Sequence, residues 1–176
     1  KQPFAVYRIP GEKIPCLVTQ EEGAVRLIYD LQELNGQRGF VIAPFRPNET
    51  CPILLIQSNG PGQPLLLADD ADAVPRDIPS TDYPSCSEEY AECFRTFISA
   101  LRDKTFEKLV LSRKLTIGKP SAFSPSLAFR AACQRYIHSY IYLCYTPQTG
   151  IWLGSTPEII LSGEKDDWHT VALAGT

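Results

Sequence analysis

Between residues 4 and 57 the sequence is cut into short β-rich runs, each stopped by a turn signal before a helix could be completed. Phe4-Ala5-Val6-Tyr7-Arg8-Ile9 ends at Pro10-Gly11, a second run covers 25–30, and a third covers 39–45. Pro52-Ile53-Leu54-Leu55-Ile56-Gln57 then meets Ser58-Asn59-Gly60-Pro61-Gly62. Runs of this length between such turns predict strands rather than helices. The chain has 176 residues, 44% of them hydrophobic. At that length about 70% of the unfolded surface can be buried, so a core needs no disulfide or metal to hold it.

After Leu65-Leu66-Leu67 the acids of 69–82 alternate with Pro75 and Pro79, ahead of Pro84. This stretch reads as an exposed connector, with a carboxylate metal cluster as the sharper alternative. From Ser85 the pattern turns helical: Ser85 and Glu88 have capping-box spacing, and Tyr90, Phe94, Phe97 and Leu101 form an apolar stripe expected to face a core. Residues 107–117 alternate with period two, which predicts a strand with Leu109, Leu111, Leu115 and Ile117 on one face. Lys108, Val110 and Ser112 share the other face. Ser124 and Pro125 mark the start of a second helix running to about Tyr136. Three β-rich segments follow, at 139–146, at 151–154 with an extension through 159–161, and at 168–172, with turns at 147–150 and 163–167. The predicted class is α+β, antiparallel β-sheets with flanking helices. Its parts are an N-terminal β-rich segment at 1–84 and a second region at 85–176, within one structural domain.

Several functions are disfavoured at this level. With 17 Lys+Arg against 20 Asp+Glu and no basic tract, the chain has no footprint for nucleic acid. Its apolar runs are far shorter than the ~20 residues of a membrane span. It contains no Met and begins at Lys1 without a signal pattern, which predicts a processed or truncated product. The six cysteines, Cys16, Cys51, Cys86, Cys93, Cys133 and Cys144, form no C-x-x-C pair. They read as reduced core residues of a cytoplasmic protein, the alternative being disulfides in a secreted domain.

There is no Gly-rich phosphate loop and no nucleophile elbow. His138 and His169 stand apart from any ligand or acid spacing, and ordinary exposed or hydrogen-bonded histidines are the simpler reading. Lys108 and Glu158 remain, two charged groups set inside hydrophobic runs. Burial would push the lysine's pKa down and the glutamate's up, the directions needed for a general base and a general acid. A salt bridge or two surface charges would account for the same pattern.

Three blocks bear on that choice: Phe106-Glu107-Lys108-Leu109-Val110-Leu111-Ser112-Arg113, then Gly154-Ser155-Thr156-Pro157-Glu158, then Thr170-Val171-Ala172-Leu173-Ala174-Gly175-Thr176. In order and wording they resemble the chorismate-utilising enzymes, most of all the isochorismate synthases. The resemblance covers the last seventy residues or so and implies a partial chorismate-binding fold, like that of anthranilate synthase component I. It implies that Lys108 activates a water to attack C2 of chorismate and that Glu158 protonates the departing C4 hydroxyl. It also implies that backbone N–H groups of Ala174, Gly175 and Thr176 bind a substrate carboxylate. Lysine at this position is similar to the water-using members, isochorismate and salicylate synthases; anthranilate synthases carry another residue there. The implied product feeds menaquinone or catechol siderophore synthesis.

The implied cofactor is Mg2+, whose glutamate ligands lie beyond the third block in this family, and the sequence stops at Thr176. No metal-binding residue is therefore assigned within the chain. The expectation is an N-terminal portion of an isochorismate synthase, inactive by itself, whose uncovered sheet edges favour self-association. A salicylate synthase, which also eliminates pyruvate, and a non-enzymatic binding module with Lys108 and Glu158 as an ion pair are the rivals.

Overall fold

The computed structural model describes residues 1–66 and 88–171. The connector at 69–84, the Ser85 cap, Cys86 and the Ala174-Gly175-Thr176 turn lie outside the described residues. The chain divides into two compact units, Lys1–Val74 with Ser124–Thr176, and Pro75–Phe123.

The first unit is built on a five-stranded antiparallel sheet. Its strands are β1 (Phe4–Arg8), β2 (Cys16–Thr19), β6 (Gln63–Pro64), β7 (Tyr140–Thr146) and β8 (Gly150–Thr156), in the order β6-β2-β1-β7-β8. A second antiparallel sheet holds β3 (Arg26–Ile28), β5 (Ile53–Gln57) and β4 (Gly39–Ile42), with β5 in the middle. The predicted runs at 4–9, 25–30, 39–45 and 52–57 thus form strands, each trimmed at one end or both. β2 and β6 went unpredicted, because four and two residues carry too little alternation to be read.

β1 pairs with β7 from the far part of the sequence, in the register Phe4↔Tyr145 through Arg8↔Ile141. That register sets the layers. Val6, Ile141 and Leu143 point to one face, where they pack against Phe129 of helix α2 (Pro125–Arg135). Ala5 and Cys144 point to the other, where they meet Val18 and Ile56, flanked by Tyr7, Phe40, Ile42 and Tyr142. All four apolar residues of β5 from Ile53 to Ile56 are buried, since both faces of that strand are covered: Ile56 lies in the inter-sheet core, and Ile53 and Leu55 pack with Ile28 and Leu34. This is why its sequence does not alternate.

Helix α2 begins where its caps predict. The Ser124 side chain accepts from the Leu127 N–H at 3.4 Å and Pro125 sits in the first turn. At its far end Arg8 of β1, only 3% exposed, donates to the carbonyls of Tyr136 (2.6 Å), Ile137 (3.1 Å) and Ser139 (3.1 Å), and also to Glu12 (3.2 Å). A cation at a helix C-terminus satisfies carbonyls that the helix leaves without partners and offsets its dipole.

The second unit contains α1 (Glu88–Arg102) and the irregular stretch 103–123. Two expectations are corrected here. Among the described residues the α1 stripe is not buried in a core: none of the helix's residues is buried and Phe94 is half exposed. Residues 107–117 form no strand, since no described strand pairs with them and a lone alternating segment has no ladder to join. A unit of this size buries too little surface to enforce either pattern.

The cysteines need a partial correction as well. Cys16, Cys51, Cys93, Cys133 and Cys144 are free thiols, but only Cys144 is buried, and Cys51 and Cys93 are exposed. Among the described residues no helix is long and apolar enough to cross a membrane.

Candidate active site

The second block leaves the sheet through β8. Gly154 lies opposite Tyr142 in the β7–β8 register, and a Cβ at this position would overlap the tyrosine ring, so the strand needs glycine there. β8 ends at Thr156, and the extension expected through 159–161 is not strand. The reason is local. Pro157 removes a ladder donor, and the Thr156 hydroxyl accepts from the Glu158 N–H at 3.1 Å, a side-chain turn that competes with the strand.

Beyond this turn a small hairpin forms from β9 (Ser162–Glu164) and β10 (Asp167–His169). The segment expected at 168–172 is therefore a shorter strand begun one residue earlier. Lys165, at φ +58°, turns the chain between the two. The hairpin brings the sequence back on itself, and the Val171 N–H donates to the Ile159 carbonyl at 3.2 Å. The structure thus brings the start of the third block beside the end of the second. His169 within this hairpin lies 3.1 Å from Asp167, an exposed local pair, in keeping with its simpler reading.

Glu158 is exposed in the first unit, and Lys108 is exposed in the second. Neither is buried, so their surroundings match the surface-charge alternative that the sequence also allowed. Close by in sequence, the Arg113 guanidinium lies 5.7 Å from the centre of the Tyr90 ring of α1, so the first block is tied to the helix before it. Among the described residues no group of three or more His, Cys, Asp and Glu side chains is placed to hold a metal ion.

Sequence reasoning passed over Arg8. Its signal was present: an arginine in phase with Phe4 and Val6 within an apolar strand, thus on the face that packs against α2.

The family model for chorismate binding enzymes matches residues 67–176, a span that includes all three blocks. Neither a curated protein nor a solved structure matches the chain. The match covers well over half of the sequence, and the chain belongs to the chorismate binding enzyme family.

Proposed function

We propose that the chain carries catalytic residues of an isochorismate synthase. In this reading the Lys108 amine accepts a proton from water as the water oxygen bonds to C2 of chorismate. The ring double bonds shift, the C4–O bond breaks, and Glu158 gives the departing hydroxyl its proton. One water enters and one leaves, so nothing is oxidised or reduced. The N–H groups of Ala174, Gly175 and Thr176 take a substrate carboxylate. Both charged side chains are exposed in the free protein, and bound chorismate is what removes water from them.

Mg2+, when bound, would neutralise the charge of the substrate's ring carboxylate. The described residues do not provide a metal cluster, and no step above passes through the ion. One observation carries the reading: the family match spans the block in which position 108 is lysine, the residue a water-activating member needs.

The test is chorismate turnover with Mg2+ by the natural full-length protein, with products separated by chromatography and Lys108→Ala alongside. Isochorismate alone, reduced at least ~100-fold in the variant, is the expected result. Salicylate with pyruvate would reassign the chain to the salicylate synthases. No consumption of chorismate by folded protein would overturn both.

A further inference from the structure

We propose that Tyr142 is a positioning residue for Glu158: its ring, seated over Gly154, fixes the path on which β8 runs out into the second block. That Glu158 acts as an acid rests on the reading given above; its placement by Tyr142 does not. The demand for glycine at 154 is one of space. Gly154 has no left-handed backbone, so alanine fits its conformation, yet an alanine Cβ would overlap the far end of the Tyr142 ring. Glycine in a strand marks such a close approach.

A ring with open space around it would swing aside. This one is held, its centroid 6.0 Å from that of Phe40 and 6.3 Å from that of Tyr140. Each of those two meets Tyr7 in turn, at 6.1 and 5.7 Å. Four rings from β1, β4 and β7 thus close a circuit, and Tyr7, Phe40 and Tyr142 pack against the buried Ala5, Val18, Ile56 and Cys144. In a packed cluster of this kind an added Cβ displaces the freer partner, here the end of β8. Two residues further on, that displacement reaches the site. Tyr140↔Thr156 is the end pair of the β7–β8 ladder. The Thr156 hydroxyl accepts from the Glu158 N–H at 3.1 Å and lies 3.5 Å from the Glu158 carbonyl. Thr156 therefore carries the ladder's geometry to the Glu158 backbone, and the Tyr142–Gly154 pair sets that geometry.

The test is a cycle of Gly154→Ala, Tyr142→Leu and their combination in the natural full-length protein, read by amide NMR and by chorismate turnover. Both single variants should shift the amides of Glu158, Ile159 and Val171. Gly154→Ala should lower kcat about 100-fold with KM held within ~threefold, since a misplaced acid fails in the transition state and not in binding. Leucine lacks the ring atoms that the Cβ meets, so in Tyr142→Leu the same alanine should cost less than ~threefold. Tyr142→Phe keeps the ring and should keep the wild-type kcat. If Gly154→Ala does not fold, the two Tyr142 variants decide, leucine lowering kcat about tenfold and phenylalanine leaving it unchanged. Unmoved Glu158, Ile159 and Val171 amides in folded Tyr142→Leu, an equal cost of alanine with and without the ring, or a loss in KM alone would each overturn the proposal. Shifted amides in variants of a wild type that consumes no chorismate would support the positioning and overturn the isochorismate reading instead.

Discussion

Two stretches of this chain read as strands in the sequence, and they have opposite fates. Tyr140–Thr146 becomes β7, paired on one side with β1 and on the other with β8. Residues 107–117 alternate with period two and stay irregular. The difference lies in what stands beside them. β7 has two ladders for its backbone groups and a helix residue, Phe129, against one of its faces. The other stretch has no described strand alongside and no buried residue of its own. Period-two patterning names the face a strand would bury, but a strand forms only where another backbone receives its hydrogen bonds.

This contrast can be broken most severely at its best-packed point. Phe129 is 2% exposed, and Phe129→Ala should destabilise the first unit by about 3–5 kcal/mol, read as a shift of the urea midpoint. An unchanged midpoint would mean that the helix is not what holds β7 in place. Next in size is Arg8→Ala, which strips partners from four carbonyls and should cost about 2–4 kcal/mol. Circular dichroism of that variant should show loss at the end of α2 before loss of sheet.

A pH titration acts on the same sheet. Burial pushes the Cys144 thiol from 9.0 up to about 11. Burial first, and then neighbouring ionisable groups, also raise Tyr7, Tyr140 and Tyr142. A raised folded-state pKa means that the native state holds the proton more tightly. The Cys144 contribution is therefore complete below pH 9 and lost as pH rises through about 11. Stability measured by denaturant across that window should fall by about 2 kcal/mol for this group, and Cys144→Ala should flatten part of the slope. A stability that rose with pH would contradict the buried placement.

The smallest effect belongs to the irregular stretch. Val110 is 79% exposed, and Val110→Ala should change stability by less than about 0.5 kcal/mol. Amide exchange sharpens the contrast further, with the β7 amides protected and those of 107–117 exchanging rapidly. Slow exchange over 107–117 would show a ladder that the fold described above does not contain.

The candidate site divides along the same line. Gly154-Ser155-Thr156-Pro157-Glu158 was legible because its structure is local: glycine passes under Tyr142, proline ends the ladder, and the threonine hydroxyl caps the turn. Its meeting with the third block was not legible, because the contact between Ile159 and Val171 depends on a hairpin folding in between. Lys108 was legible as a residue type in a block. Its exposure was not, since exposure is set by whatever packs around a segment and not by the segment's own alternation.

By itself the sequence determined the elements whose signals lie within a turn or two of one another. These are the start of α2 at Ser124 and Pro125, the apolar run Ile53 to Ile56 of β5, the β7–β8 hairpin around Gly150, and the three blocks that identify the family. Only the tertiary structure decided that β1 would pair with β7, that Arg8 would be buried at the end of α2, and that 107–117 would remain without a ladder. Caps, prolines and turn glycines act on their own neighbours. Strand pairing and charge burial depend on groups that reach the site only once the chain has folded.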